Sequence, residues 1–222
     1  NVIEWLHSSA PDRSNVQIRD ITLQFSMIAH QGPQSEMMLQ KLTSGDLANL
    51  KPFHLINTSL AGVDSVVART GYTGEDGFEL IVPNERVVDV WHALENEGAT
   101  PCGLGSRDVL RLEAGLALHG NDIDTSTNPY EAGLARFVDP DRDGYIARQS
   151  LTKIRDTGPN RKLTGFRMLE RGIPRPGYRI LDGPKDIGKV SSGGVSVSTD
   201  MNIGLGYVPT LYSHPGSHFQ ID

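Results

Sequence analysis

The chain has 222 residues, 37% of them apolar and 22% charged, which is enough to bury a core as one large domain or two small ones. Its 27 acidic and 21 basic residues leave a net charge of −6, arguing against a nucleic-acid binder, which would present a basic face. No apolar run approaches the ~18 residues of a membrane span, no signal peptide is read at the start, and the single Cys102 excludes an internal disulfide framework and suits a reducing compartment.

The opening "NVIEWL" reads as a helix already in progress, and the closing "GSHFQID" reads as a strand. Both ends look like cuts, so the chain is expected to be a fragment. Residues 16–29 alternate in the strand manner, through Val16, Ile18, Leu23, Phe25 and Met27. Gly32-Pro33 turns the chain into a short helix with Met37, Met38 and Leu42 inward. "SVVART" and "GFELIV" are strands on either side of the glycine-dense "RTGYTGEDGFEL". Asn84 is the expected N-cap of "ERVVDVWHALENEG", with Val87, Val90, Trp91 and Leu94 on one face. "SRDVLRLEAGLAL" is a further helix, capped by Ser106, with Val109, Leu112 and Leu116 as its apolar stripe.

After Asp156 the texture changes to short β-rich segments separated by turn signals, among them "KLTGFRML", "GYRIL", "IGKVSS", "IGLGYV" and "SHFQI". The expected fold class is α+β, with antiparallel sheets and packed helices, followed by a small C-terminal β-barrel or sandwich. The division falls between 1–156 and 157–222.

Several motifs imitate sites. "DPDRDGYIARQS", residues 139–150, has acids at the first, third and fifth positions of a calcium loop, but its twelfth position is Ser150 instead of the bidentate glutamate. A solvated acidic turn is the expectation there, and no metal is expected. His214 and His218 are four apart, but Pro215 and Gly216 forbid the helix that would align two ligands. "GLGSRD" and "GLGY" lack the full phosphate fingerprint and a P-loop lysine, and no Gly-x-Ser-x-Gly elbow is present.

Glu79 is different. It sits in a strand between Phe78 and Leu80, just after a turn whose glycines let a ligand or a second backbone approach closely. An ionised carboxylate offers two acceptor oxygens and no donor, so its natural partner is a flat pair of N–H groups. The bland alternative is a glutamate on a solvated sheet face. Arg107 opens a helix, where a cation meets an already positive N-terminus, and Asp108 beside it would offset that cost. It is either a surface arginine paired with Asp108 or one aimed into a cleft, against a ligand carbonyl or carboxylate.

"ARTGYTGEDGFEL", "GLGSRDVLRLEAGLALHGNDID", "NPYEAGLARFV" and "GKVSSGGVSVSTDMNIGLGYV" together resemble the aminomethyltransferase, or T-protein, family of the glycine cleavage system. The likeness runs in order through nearly the whole chain, and "GYIARQSL" and "RGIPRPGY" are closer to the bacterial branch. The resemblance implies transfer of an aminomethyl group from the lipoyl arm of a carrier, the H-protein, to tetrahydrofolate as co-substrate. Methylenetetrahydrofolate and ammonia are the products. It implies that Glu79 grips the pterin edge, that Arg107 lines the folate cleft and that Tyr72 is a further pocket residue. The family's catalytic aspartate belongs to a segment expected upstream of Asn1, so no catalytic residue is assigned in this chain. The implied compartment is the cytoplasm, or the mitochondrial matrix in a eukaryote, with neither nucleic acid nor membrane as partner.

Two positions depart from the family's pattern. His119 replaces a common tyrosine and Arg136 a common aromatic, which bears on the stacking surface. Alternatives stay open: the folate domain of a dimethylglycine or sarcosine dehydrogenase or a related demethylase, or a non-catalytic folate-binding relative. The last carries a lysine-glycine-cysteine-tyrosine motif where this chain has "DGYIARQS".

Overall fold

The computed structural model describes residues 2–10 and 16–222. It is an α+β structure with two antiparallel sheets, of four and five strands. None of its helices is long and apolar enough to cross a membrane, among the described residues. The chain divides into two compact units, residues 1–71 with 75–101, and residues 72–74 with 102–222.

The first unit opens with α1 (Val2–Ser9), all of whose residues are at the surface. Its sheet has the order β1-β4-β3-β2, from β1 (Phe25–Gln31), β2 (Leu55–Leu60), β3 (Val63–Ala68) and β4 (Gly77–Pro83). Side chains alternate across each strand, so one face carries Ile28, Val63, Val67, Phe78, Leu80 and Val82 into the core. Short α2 (Ser35–Gln40) and α3 (Val87–Asn96) contribute Leu39, Val90 and Leu94 to the same core.

The details depart from the sequence expectation in instructive ways. The first strand begins only at Phe25, and its inward residues are Ile28 and His30, while Met27 is 61% exposed. Register decides this parity: Ile28 lies opposite the fully buried Leu80. In α2 the buried apolar side chain is Leu39, Leu42 just past the helix packs against the core as expected, and Met37 faces out. In α3 Val90 and Leu94, four apart, are buried, Val87 packs partly against the same core as expected, and Trp91 is 40% exposed. Asn84 caps nothing; it accepts a hydrogen bond from the Ser26 hydroxyl and donates to the carbonyl of Leu23.

The second unit holds α4 (Leu104–Glu113), α5 (Arg148–Thr157) and a sheet of order β5-β8-β7-β6-β9. Its strands are β5 (Arg161–Arg167), β6 (Arg179–Asp182), β7 (Lys185–Ser196), β8 (Met201–Pro209) and β9 (Gln220–Ile221). Ile180, Ile187, Val190 and Val208 form its apolar centre, against which Phe166 and Phe219 pack edge to face at 5.6 Å. Register shifts in β7, between Val190 and Ser192, and between Ile180 and Leu181 in the β6–β7 pair mark irregularities that let a twelve-residue strand bend. Residues 162–171, Leu181 and 212–222 line a cleft of about 1240 Å³, along which His214 and His218 lie exposed.

Helix α5 begins inside the stretch that mimics a calcium loop. Its arginines take up two of the acids there: Arg148 pairs with Asp143 at 2.9 Å and Arg155 with Asp141 at 2.7 Å.

Candidate functional site

Phe78 and Leu80 point into the core of the first unit, so strand alternation turns Glu79 to the opposite face. Its cross-strand neighbours there are Ala29 on β1 and Ala68 on β3. Only two methyl groups stand beside the half-buried acid on the neighbouring strands. Two residues further along β4, Ile81 lies between Met27 and Val66, so the floor beside the acid is apolar. Thr70 donates its hydroxyl to Oε2 of Glu79 and is the acid's one recorded partner among the described residues. Each carboxylate oxygen has two lone pairs, so a planar double donor can still be met.

The turn leading to Glu79 is held by a residue that sequence reasoning passed over. Arg69 donates to the carbonyls of Leu47 and Leu50, pairs with Glu36 at 2.7 Å and Asp76 at 2.6 Å, and lies over the Phe78 ring at 5.4 Å. Of the two adjacent acids in "GEDG", Asp76 is thus committed to holding the loop.

The Arg69 hydrogen bond holds the Asp76 carboxyl below the usual carboxylate range, against an opposing contribution from burial. A carboxyl whose folded value lies below its unfolded value stabilises the fold above the unfolded value and ceases to do so as the pH falls through the folded one. Wild type should therefore lose stability relative to Asp76→Asn as the pH drops below about 4. Thermal melts of both proteins across that range test this, and parallel pH curves would remove the assigned role. The side chain is 44% exposed, so the effect is screened and small.

In the second unit, Tyr72 and Arg107 come together. The Arg107 guanidinium lies over the Tyr72 ring at 4.7 Å, and the phenol donates to the carbonyl of Ala117 at 2.7 Å. Burial is the main influence raising the Tyr72 pKa above its ordinary value, which keeps the phenol a donor. Arg107 does not take Asp108 as its partner. Asp108 turns instead to Arg111, at 2.7 Å, because residues three apart share a helix face and adjacent ones do not. The helix itself starts at Leu104, with Gly103 as N-cap, and Ser106 bonds back to the Gly103 carbonyl.

Arg111, which sequence reasoning did not single out, is only 2% exposed and meets Asp122 at 2.8 Å. Leu116 lies past the helix end, and its carbonyl accepts from Arg111. The signal that was available is an arginine directly before Leu112 on the apolar stripe, followed by the acids of "GNDID". The departing positions His119 and Arg136 are both exposed, with Arg136 lying over the ring of its neighbour Phe137 at 4.7 Å.

Two family models match: the GCVT N-terminal domain over residues 1–142, and the Glycine cleavage T-protein C-terminal barrel domain over residues 161–222. The chain belongs to the glycine cleavage T-protein family. Among relatives, the aminomethyltransferase of Thermoanaerobacter pseudethanolicus is 41% identical over 93% of this chain and 57% of its own length. The aminomethyltransferase of Symbiobacterium thermophilum is 41% identical over 98% of this chain and 61% of its own length. The crystal structure of the glycine cleavage system aminomethyltransferase T from Bartonella henselae superposes with a TM-score of 0.82 at 31% identity, covering 89% of this chain and 55% of that one. The chain therefore spans a little over half the length of these family members.

Proposed function

We propose that the chain is the tetrahydrofolate-binding part of an aminomethyltransferase. The full reaction takes the aminomethyl group from the lipoyl arm of an H-protein carrier, passes its carbon to tetrahydrofolate and releases ammonia. Family membership and the names carried by its relatives support the reaction class.

The single observation that carries the folate reading is the placement of Glu79, a half-buried carboxylate between two alanines at the edge of an apolar sheet face. The amino-pyrimidinone edge of a pterin presents two parallel N–H groups in a plane, which a carboxylate accepts as a fork. Alanine neighbours admit a flat ring where larger side chains would block it. Arg107 and Tyr72 supply a guanidinium and a polarised aromatic ring, the groups that suit the carbonyl and carboxylate functions of a folate. In this reading the chain's own residues bind and orient, and orientation of folate N5 against the aminomethyl carbon supplies much of the rate. The acid that assists carbon transfer is not assigned to any residue of this chain.

Titration of the protein with tetrahydrofolate is the test. Binding should be saturable, and Glu79→Gln, which replaces one acceptor oxygen with a donor, should weaken it by about 10- to 100-fold. Equal affinity of the two proteins would overturn the role of Glu79.

A further inference from the structure

Gln31 closes β1 opposite Gly77 and touches both ends of the loop that precedes Glu79. Its carboxamide nitrogen donates to the Thr70 carbonyl at 3.2 Å and to the Phe78 carbonyl at 3.0 Å. Thr70 enters the loop, and Phe78 leaves it directly before the acid. The loop is shaped to receive this side chain: a Cβ on either Gly71 or Gly77 would collide with the Gln31 carboxamide. Neither of these glycines needs a left-handed backbone, so close approach is what demands them.

The other end of the amide has no comparable explanation. Gln31 Oε1 is buried without a hydrogen-bond partner among the described residues, and an orphaned buried carbonyl carries its full desolvation cost. An apolar side chain of the same length would fill the space without that penalty. The glutamine is therefore accounted for by what its N–H groups hold.

We propose that Gln31 is a positioning residue for Glu79. By tying Thr70 and Phe78 together it fixes the threonine whose hydroxyl engages one oxygen of the acid, and so presents the carboxylate in one orientation. The inference rests on the reading of Glu79 as the folate acceptor, and it adds that the acid's orientation is imposed from the neighbouring strand. A hairpin staple with no bearing on the acid is the competing account.

Gln31→Met keeps the length and volume but removes both donors. Tetrahydrofolate affinity should fall about tenfold in the wild-type background and less than about twofold beside Glu79→Gln, because the two changes act through one group. Equal losses in both backgrounds would mark a purely structural staple and overturn the proposal. Should Gln31→Met fail to fold, Thr70→Val interrupts the same relay from the surface side. Thr70→Val should cost a similar factor, restored by Thr70→Ser, and unchanged affinity in Thr70→Val overturns the relay. If wild type itself does not bind tetrahydrofolate, the functional reading fails separately. A crystal structure of Gln31→Met then decides the positioning claim: a Glu79 carboxylate withdrawn from the Thr70 hydroxyl supports it, and an unmoved one refutes it.

Discussion

Replacing Asp122 with alanine is expected to destabilise the second unit by about 3–5 kcal/mol, the cost of stranding a buried charge. Asp122 has no side-chain exposure and accepts from Arg111 at 2.8 Å, the Leu118 backbone N–H at 2.8 Å, Ser192 at 2.9 Å and the Ser191 hydroxyl. Arg111, itself 2% exposed, spends its remaining donors on Asp108, Ser192 and the Leu116 carbonyl. Asp108 is 58% exposed and solvated, so it cannot replace the buried partner. Without Asp122 the guanidinium keeps Ser192, the Leu116 carbonyl and the solvated Asp108 but loses its buried counter-charge, and the Leu118 amide loses its acceptor.

The damage also reaches Tyr72, because the Ala117 carbonyl that holds its phenol lies in the turn whose neighbours, Leu116 and Leu118, are fixed by this pair. Urea unfolding followed by circular dichroism should show a lower midpoint at an unchanged slope. Removing both charges with Arg111→Met and Asp122→Leu should recover much of the loss, since a buried pair contributes little net stability against an apolar replacement. A loss below about 1 kcal/mol for Asp122→Ala would mean that water reaches the pair and that the unit is looser than its packing indicates.

What the sequence disclosed and what it withheld follow from the range of each interaction. Alternation is local, so the outward direction of Glu79 was readable from Phe78 and Leu80 alone, both fully buried. The parity of β1 was not, because Phe25, Met27 and Ile28 are all apolar and only the pairing with β4 chooses between them. Of the two readings left open for Arg107, helical spacing disfavours the pairing with Asp108: position 108 lies roughly 100° round the helix, whereas position 111 returns to the side of Asp108. The side chains of Arg69 and Asp122 draw partners from up to 33 and 70 residues away, and nothing in their flanking residues encodes that. Gln31 was silent for the same reason, since its meaning depends on two glycines that reach it only through strand pairing. The four ordered stretches did identify the family, and the two family models bear that out.

Gly188→Ala should cost about 3 kcal/mol in the same unit, through the backbone and without any charge. A Cβ at this position would overlap the carbonyl oxygen of Tyr207 on β8. That oxygen belongs to the main chain and cannot swing aside as a side chain would, so β7 and β8 must separate where Lys189 and Tyr207 are paired. The separation opens the apolar centre on both sides, since Ile187 and Val190 flank the glycine and are 8% and 2% exposed. It also pulls on Tyr207, whose phenol donates to the Asp122 backbone carbonyl at 2.8 Å and whose pKa burial pushes up to about 12. A displaced, wetter phenol should titrate closer to its ordinary value, so ultraviolet titration of the variant reads the strand shift directly. Gly165→Ala is the control in the same sheet. Its Cβ would meet only Leu205 Cδ2, at an ordinary 3.7 Å, and it should leave the unfolding free energy within about 0.5 kcal/mol of wild type. Equal losses at both positions would mean that glycine content, and not the close approach of β7 to β8, governs the stability of this sheet.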